Sequence, residues 1–264
     1  MSRIHKFVDV SPEAKIGENV EIGAFTRIGP NVTIGDGCKI YNNVNILGHT
    51  VIGQNNIIYP FASLGTAPHD ISFKGWGSCL NVGDGNTFRE GFTANVGAAE
   101  NSATEIGNGC FFMANSHLGH NAKVGDKVVL ANGAVLGGHA VLGDRCFIGG
   151  NSAIHQFVRI GRLVIMSGVS ATSLDIPPFM IADGRNQPIR NINLIGLKRN
   201  GFSRETIKAL KEVFKIFFKG GLNVTNSIEK IKTEISPLPE VLEFIEFVEK
   251  RTHRGIATGI AHKR

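Results

Sequence analysis

The sequence predicts a mainly β fold, a prism wound from hexapeptide repeats, followed by a small C-terminal α-helical domain. Three observations carry this. An apolar side chain recurs every six residues from Val10 to Leu64 and again from Ile106 to Met166. Glycine is abundant and bulky aromatics are scarce, with 33 Gly, one Trp and two Tyr among 264 residues, as suits many like turns and small inward side chains. The period then fades after Asp175, Ile176, Pro177 and Pro178, where helical signals replace it.

In the first run Val10, Ile16, Ile22, Ile28, Ile34, Ile40, Ile46, Ile52, Ile58 and Leu64 keep the beat. A small or β-branched residue such as Ala14, Val20, Thr26 or Cys38 stands two places earlier in most hexads. A helix repeats about every 3.6 residues and a strand every second one, so this longer period is one short strand plus one turn. Two residues per hexad then point inward. The same frame returns from Ile106 through Leu118 and Leu136 to Met166, with Cys110, Ser116, Ala134 and Cys146 at the small position. Stacking of such units builds a β-helix whose strands bond to the coils above and below.

The frame lapses between Thr66 and Cys79 and again around Gly97 to Ala103. An insertion that leaves the frame intact on either side is a loop projecting from a corner, and projecting loops commonly carry function. The prism is expected over 1–190 with loops near 66–79 and 97–103, and the helical domain over 191–264. The two prolines remove strand donors and are expected to end the ladder. Ser203 can cap a helix reaching Phe218, ended by Gly220 and Gly221. Val224 to Ile235 reads as a second helix, and Pro239 starts a third ending near Arg251.

A content of 42% hydrophobic and 19% charged residues describes a globular chain and excludes disorder and collagen. The net charge of +6 suits an anionic partner without naming one. No stretch approaches the roughly 18 to 20 apolar residues of a membrane span, and the N-terminus lacks a basic segment followed by an apolar core. The expected location is cytoplasmic, without stable membrane insertion. Cys38, Cys110 and Cys146 fall at inward positions and Cys79 at a loop edge. None forms a Cys-x-x-Cys pair, so nothing argues for disulfides.

Candidate chemistry concentrates in His117, His120, His139 and His155. His120 lies outside the two inward positions of its hexad and is expected on an outer face, where an imidazole can act as a general base near neutral pH.

Several strings carry a resemblance: Asn115 to Gly125 (NSHLGHNAKVG), the turn Gly137, Gly138, His139, Ala153 to Phe157 (AIHQF), Asp175 to Pro178 (DIPP) and Gly196 to Ser203 (GLKRNGFS). Together they resemble the UDP-N-acetylglucosamine O-acyltransferases, hexapeptide-repeat enzymes that open lipid A biosynthesis. The resemblance spans nearly the whole chain. It implies a left-handed parallel β-helix with three hexads per triangular coil, and a homotrimer with the site between subunits. At roughly eighteen residues per coil, Gly138 stands over His120, and Gln156 over Gly138.

The resemblance also implies transfer of an (R)-3-hydroxyacyl chain from acyl carrier protein to the sugar 3-hydroxyl. The donor is carried on phosphopantetheine, with no metal or other cofactor. His120 matches the general base, Asp70 the carboxylate that orients it, and Gly138 the backbone oxyanion donor. His117, His139, Gln156, Asn193, Arg199 and Ser72 match substrate-binding positions. His155 and Gly168 match the acyl-chain pocket, where Gly168 leaves room for a longer chain.

The chain departs from the family pattern on the acceptor side. Ser72 stands where a Lys is expected, Asn95 and Val96 where His and Arg are, Asn200 where a second Arg is, and Ile195 where a carboxylate is. Charge-assisted bonds to phosphate are strong, so their loss leaves a 3-amino or other nucleotide sugar open as the acceptor. A non-catalytic scaffold is a further alternative. A zinc enzyme of the γ-carbonic-anhydrase type needs a His-x4-His pair, whereas this chain has His-x-x-His at His117 and His120. Arg159, Arg162, Arg185, Arg190, Lys198, Arg199 and Arg204 read as a docking patch for the acidic acyl carrier protein. No aromatic residues interleave them in the manner of a nucleic-acid site.

Overall fold

Each hexad supplies a strand of two to four residues, and such strands persist only because neighbouring coils satisfy their backbone groups. The computed structural model describes residues 2–75, 77–184, 187–250, 252 and 254–258, with the backbone alone at 187 and 188. Its strands assemble into three sheets of eleven, nine and eight strands that wall a prism. His117 pairs with Val135 and Val135 with Ala153, an advance of eighteen residues per coil. Thirty residues separate Ser63 from its partner Thr93, and twenty-four separate Thr93 from His117. The two projecting loops thus absorb extra residues without disturbing the frame.

The inward positions form the core, where Val20, Ile46, Leu64, Leu118 and Ile148 have no exposed surface. At the level of the loops Phe88, Phe92 and Phe112 fill the interior, their ring centroids 4.9 to 5.1 Å apart. Each such ring contributes roughly 2 to 3 kcal/mol by its burial. The inward thiols are inert: burial pushes Cys110 up to about 11 and Cys146 up to about 12. One corner is laddered by carboxylates. Asp126 Oδ1 accepts the Asn108 N–H at 2.7 Å, and Asp144 Oδ1 accepts the Asp126 N–H at 2.9 Å.

The prolines do not end the ladder as expected. They occupy a turn, after which Met180–Asp183 rejoins the sheet parallel to Ile165–Met166, and Gln187–Ile192 folds back antiparallel. A short helix α1 (Leu194–Arg199), absent from the sequence reading, follows at once. Helix α2 (Arg204–Phe214) is capped by Ser203, whose Oγ accepts the Thr206 N–H. It passes into a π-helical turn, Lys215–Lys219, before Gly220. The wider turn carries the consecutive Phe217 and Phe218 both into buried contact with Phe244. Helix α3 (Val224–Glu234) is capped by Asn223, and α4 (Pro239–Glu249) starts on its proline and ends two residues before Arg251, near the expected end; Arg251 itself lies outside the described residues. Among the described residues no helix is long and apolar enough to cross a membrane.

Candidate active site

A cavity of about 480 Å³ opens on the corner that follows the nine-stranded sheet, and His69, Asn95, His117, His120, Gly138 and Gln156 are among its walls. The register stacks Leu118 on Leu136 and Leu136 on Ile154, so the turn residues two places later, His120, Gly138 and Gln156, form one column. Pro12 and Pro30 hold the same turn position in early coils, two places after Val10 and Ile28. In the regular coils the ladder therefore leaves the donor at this position unused, whereas beside the first loop Val96 donates to the Thr66 carbonyl at 3.0 Å. Gly138 is buried, and its N–H makes no hydrogen bond to any described residue. A buried N–H without a partner is costly, and here it borders a cavity.

His120 Nδ1 lies 3.0 Å from Asn121 Oδ1, which also accepts the Ala98 N–H at 2.9 Å. A backbone N–H only donates, so that atom is the amide oxygen and His120 Nδ1 carries the ring proton. Nε2 is left as the basic nitrogen. A Cβ placed on Gly138 would fall 2.5 Å from His120 Nε2, so the basic edge of the ring rests against a bare Cα.

His117 occupies the strand beneath. Its Nδ1 is 2.8 Å from Thr93 Oγ1, and its ring stacks on His69 at 5.5 Å between centroids. Burial, and then the neighbouring His69, hold His117 down at about 4, so it stays neutral at physiological pH. Asn95 is 1% exposed and donates from Nδ2 to the Ala67 carbonyl at 2.8 Å and to Thr66 Oγ1 at 3.0 Å. The carbonyl accepts only, which fixes the amide's orientation, and Oδ1 is left without a partner among the described residues.

His139 (φ 58°) and Phe157 (φ 65°) take the left-handed conformation at like turn positions of successive coils. Their rings stack at 4.7 Å, and His139 meets His120 edge-on at 5.2 Å. Burial and the His120 charge lower the His139 pKa. His155 is exposed on the cavity wall, and its Nδ1 lies 2.7 Å from Arg254 Nη2.

Not every residue singled out in the sequence joins this cavity. Asp70 Oδ1 accepts from Ser72 Oγ at 2.7 Å and from the Ser72 N–H at 2.8 Å. These bonds, with a smaller contribution from the His120 charge, lower its pKa. The hydrogen bond on His120 Nδ1 belongs to Asn121 rather than Asp70, a partner the sequence reading missed although it is the next residue. Asn193 is 3% exposed, and both ends of its amide serve the fold: Nδ2 donates to the Leu163 carbonyl and Oδ1 caps α1 at Gly196. It is not among the walls of the cavity. Arg199 is exposed at the end of α1, away from the cavity walls. Gly168 lies at the opposite edge of the nine-stranded sheet, and a Cβ there would meet nothing closer than Gly150 O at 3.4 Å.

The basic patch is smaller than its sequence suggested. Arg159 pairs with the buried Asp175 at 2.9 Å, Arg162 with Glu243 at 2.7 Å and Arg190 with Asp183 at 2.5 Å. Arg185 lies outside the described residues. Lys198, Arg199 and Arg204 remain exposed. Among the described residues no three His, Cys, Asp or Glu side chains are gathered as a metal site.

Comparison with known proteins agrees with this architecture. The second-domain model of UDP N-acetylglucosamine O-acyltransferase matches residues 175–257, and bacterial transferase hexapeptide models match 13–48, 31–66 and 103–138. The acyl-[acyl-carrier-protein]–UDP-N-acetylglucosamine O-acyltransferase of Thermodesulfovibrio yellowstonii is 43% identical over 97% of this chain and 99% of its own. The crystal structure of the UDP-N-acetylglucosamine acyltransferase from Bacteroides fragilis superposes with a TM-score of 0.93 at 38% identity, covering 96% of this chain and 98% of that one. The corresponding Acinetobacter baumannii structure gives 0.92 at 39% identity, covering 96% and 99%. The fold is the left-handed parallel β-helix. The chain belongs to the family of UDP-N-acetylglucosamine O-acyltransferases.

Proposed function

We propose that this cavity transfers an (R)-3-hydroxyacyl chain from acyl carrier protein to the 3-hydroxyl of UDP-N-acetylglucosamine, the first step of lipid A biosynthesis. One observation carries the reading: the basic Nε2 of His120 packs against Gly138, whose amide has no partner among the described residues. Nε2 takes the hydroxyl proton as the sugar oxygen attacks the thioester carbon, and the Gly138 N–H bears the oxyanion that forms. Collapse expels the phosphopantetheine thiolate, which takes the proton back from the imidazolium. Asn121 holds the ring in the reactive tautomer, and the Asp70 carboxylate favours the imidazolium at longer range. His117, His139 and Gln156 line the acceptor side, Ser72 orients Asp70, and His155 borders the acyl path.

The chain works as a homotrimer in the cytoplasm. Gly168 lies across the nine-stranded sheet from His120, and the wholly exposed Ile71 tips the first loop; both fit an acyl chain lying between neighbouring prisms. Lys198, Arg199 and Arg204 form the remaining basic face for acyl carrier protein. The test is product formation by the purified protein from acyl carrier protein thioester and UDP-N-acetylglucosamine. His120→Ala should abolish it in a protein that still assembles.

A second reading, a 3-amino nucleotide sugar as acceptor, is favoured by Asn95. An amide oxygen accepts hydrogen bonds and attracts cations, and it stands where the family pattern has a cation-forming side chain. Turnover of UDP-N-acetylglucosamine and its 3-amino analogue with one acyl donor separates the two readings.

A further inference from the structure

The C-terminal residues return to the cavity from the far end of the fold. Residues 254–257 run beside the last coil, where the Asp175 N–H donates to Gly255 O and the Ala257 N–H to Asp175 O, both at 2.9 Å. The Asp175 side chain is buried and anchors the same segment, with Thr252 Oγ1 2.8 Å from its Oδ2 and the Arg159 guanidinium on the same oxygen at 2.9 Å. Arg159 in turn donates to the carbonyls of Phe247 and Lys250 at the end of α4. The segment is thus tied to both the prism and the last helix, and it delivers one side chain, Arg254, to the cavity rim.

Arg254 Nε donates to the Gln156 carbonyl at 3.0 Å, and Nη2 lies 2.7 Å from His155 Nδ1. A guanidinium has donors only, so Nδ1 must present its lone pair and the neutral ring must carry its proton on Nε2. His155 Nδ1 also lies 3.3 Å from the Gln156 carbonyl. With Nδ1 bare, that contact is two acceptors sharing one fork. His155 and Gln156 both line the cavity with His120 and Gly138.

We propose that Arg254 is a positioning residue for this site. Its guanidinium locks His155 as the Nε2–H tautomer and pins the turn at Gln156, so the cavity wall one coil above Gly138 depends on the chain's C-terminal segment. The kinetic part of this inference rests on the acyl-transfer reading of the cavity; the tautomer part does not.

The test compares the unchanged full-length protein with Arg254→Met, which keeps the side chain's bulk without donors, and Arg254→Lys, which keeps the charge without the fork. Nitrogen-15 spectra of the histidine rings read the tautomer directly. The unchanged protein should show His155 with a bare Nδ1 and a protonated Nε2, and Arg254→Met should show a mixture. In the acyl-transfer assay Arg254→Met should lose about tenfold in kcat/KM at an unchanged melting temperature, as expected for one charge-assisted hydrogen bond, with Arg254→Lys in between. His155 signals identical in the unchanged protein and Arg254→Met would overturn the proposal whatever the activity. A shifted tautomer in a protein that transfers no acyl group would support the positioning and strike the assigned reaction instead.

Discussion

Replacing Gly138 by alanine tests the central contact of the site. The new Cβ would lie 2.5 Å from His120 Nε2 and 2.6 Å from Cε1, against an ordinary contact of about 3.5 to 4 Å. Relief requires the ring to retreat by roughly 1 Å. The backbone adds little to the cost, because Gly138 is not among the residues with positive φ. The ring is only half-buried and can swing into the cavity, so the folded state should lose no more than about 1 kcal/mol, the low end for overpacking. Catalysis is less forgiving: a displacement of about 1 Å in a reacting group costs on the order of 100-fold. Initial rates with acyl carrier protein thioester and UDP-N-acetylglucosamine, read beside a thermal melt, should show kcat down about 100-fold with the fold retained. A Gly138→Ala protein with kcat within about threefold of the unchanged chain would refute the geometry argued here.

His120→Ala should lower kcat by roughly 100- to 10,000-fold, the usual contribution of a general base, while KM and the melting temperature hardly move. A drop confined to KM would show that the ring binds rather than reacts. Asn121 has φ 60°, so Asn121→Gly keeps its backbone conformation and removes the amide that holds both His120 Nδ1–H and the Ala98 N–H of the second loop. A fall in kcat of about tenfold or more is expected, and an unaltered rate would mean the tautomer is set elsewhere. His117 titrates at about 4 when folded, below its ordinary 6.5. Between those values the unfolded chain holds a proton that the native chain lacks. Stability therefore rises with pH through that window and is lost on acidification, by on the order of 3 kcal/mol. His117→Gln should flatten this part of a plot of denaturation midpoint against pH; an unchanged slope would count against burial as the cause.

How much of this was legible in the sequence depended on the range of the interaction. The six-residue beat set the coil length, once its resemblance to a three-hexad coil was granted. The coil length alone placed Gly138 over His120 and Gln156 over Gly138, as the strand register has them. Contacts between the loops and the prism follow no period, so they were not readable. Asn121 follows His120 directly, but its role appears only once Ala98, from the second loop, donates to the same oxygen. His69 stacks on His117 from the first loop, and Arg254 reaches His155 across ninety-nine residues. Charge was the least legible feature. Arg159 and Arg162 looked like free cations because Asp175 meets Arg159 only where the last coil departs from the six-residue frame, and Glu243 meets Arg162 only through the packing of α4.

The site lies where the repeat leaves a bond unmade. At the carboxylate corner Asp36, Asp84, Asp126 and Asp144 each accept a backbone N–H from the coil beneath, so these side chains and donors satisfy one another. At the corner after the nine-stranded sheet the ladder leaves one donor unused in each regular coil, which is why Pro12 and Pro30 are accommodated there without loss. A spare donor recurs in the regular coils of this edge, though not at Val96 or Leu174, and only Gly138 combines it with an absent side chain and an imidazole directly beneath. Gln156, one coil higher, carries a side chain over a glycine and so lacks both. A β-helix with a regular edge thus acquires one reactive position from two local departures, a histidine in one coil and a glycine in the next. Moving either residue along its own coil would leave the fold intact and separate the base from the oxyanion donor.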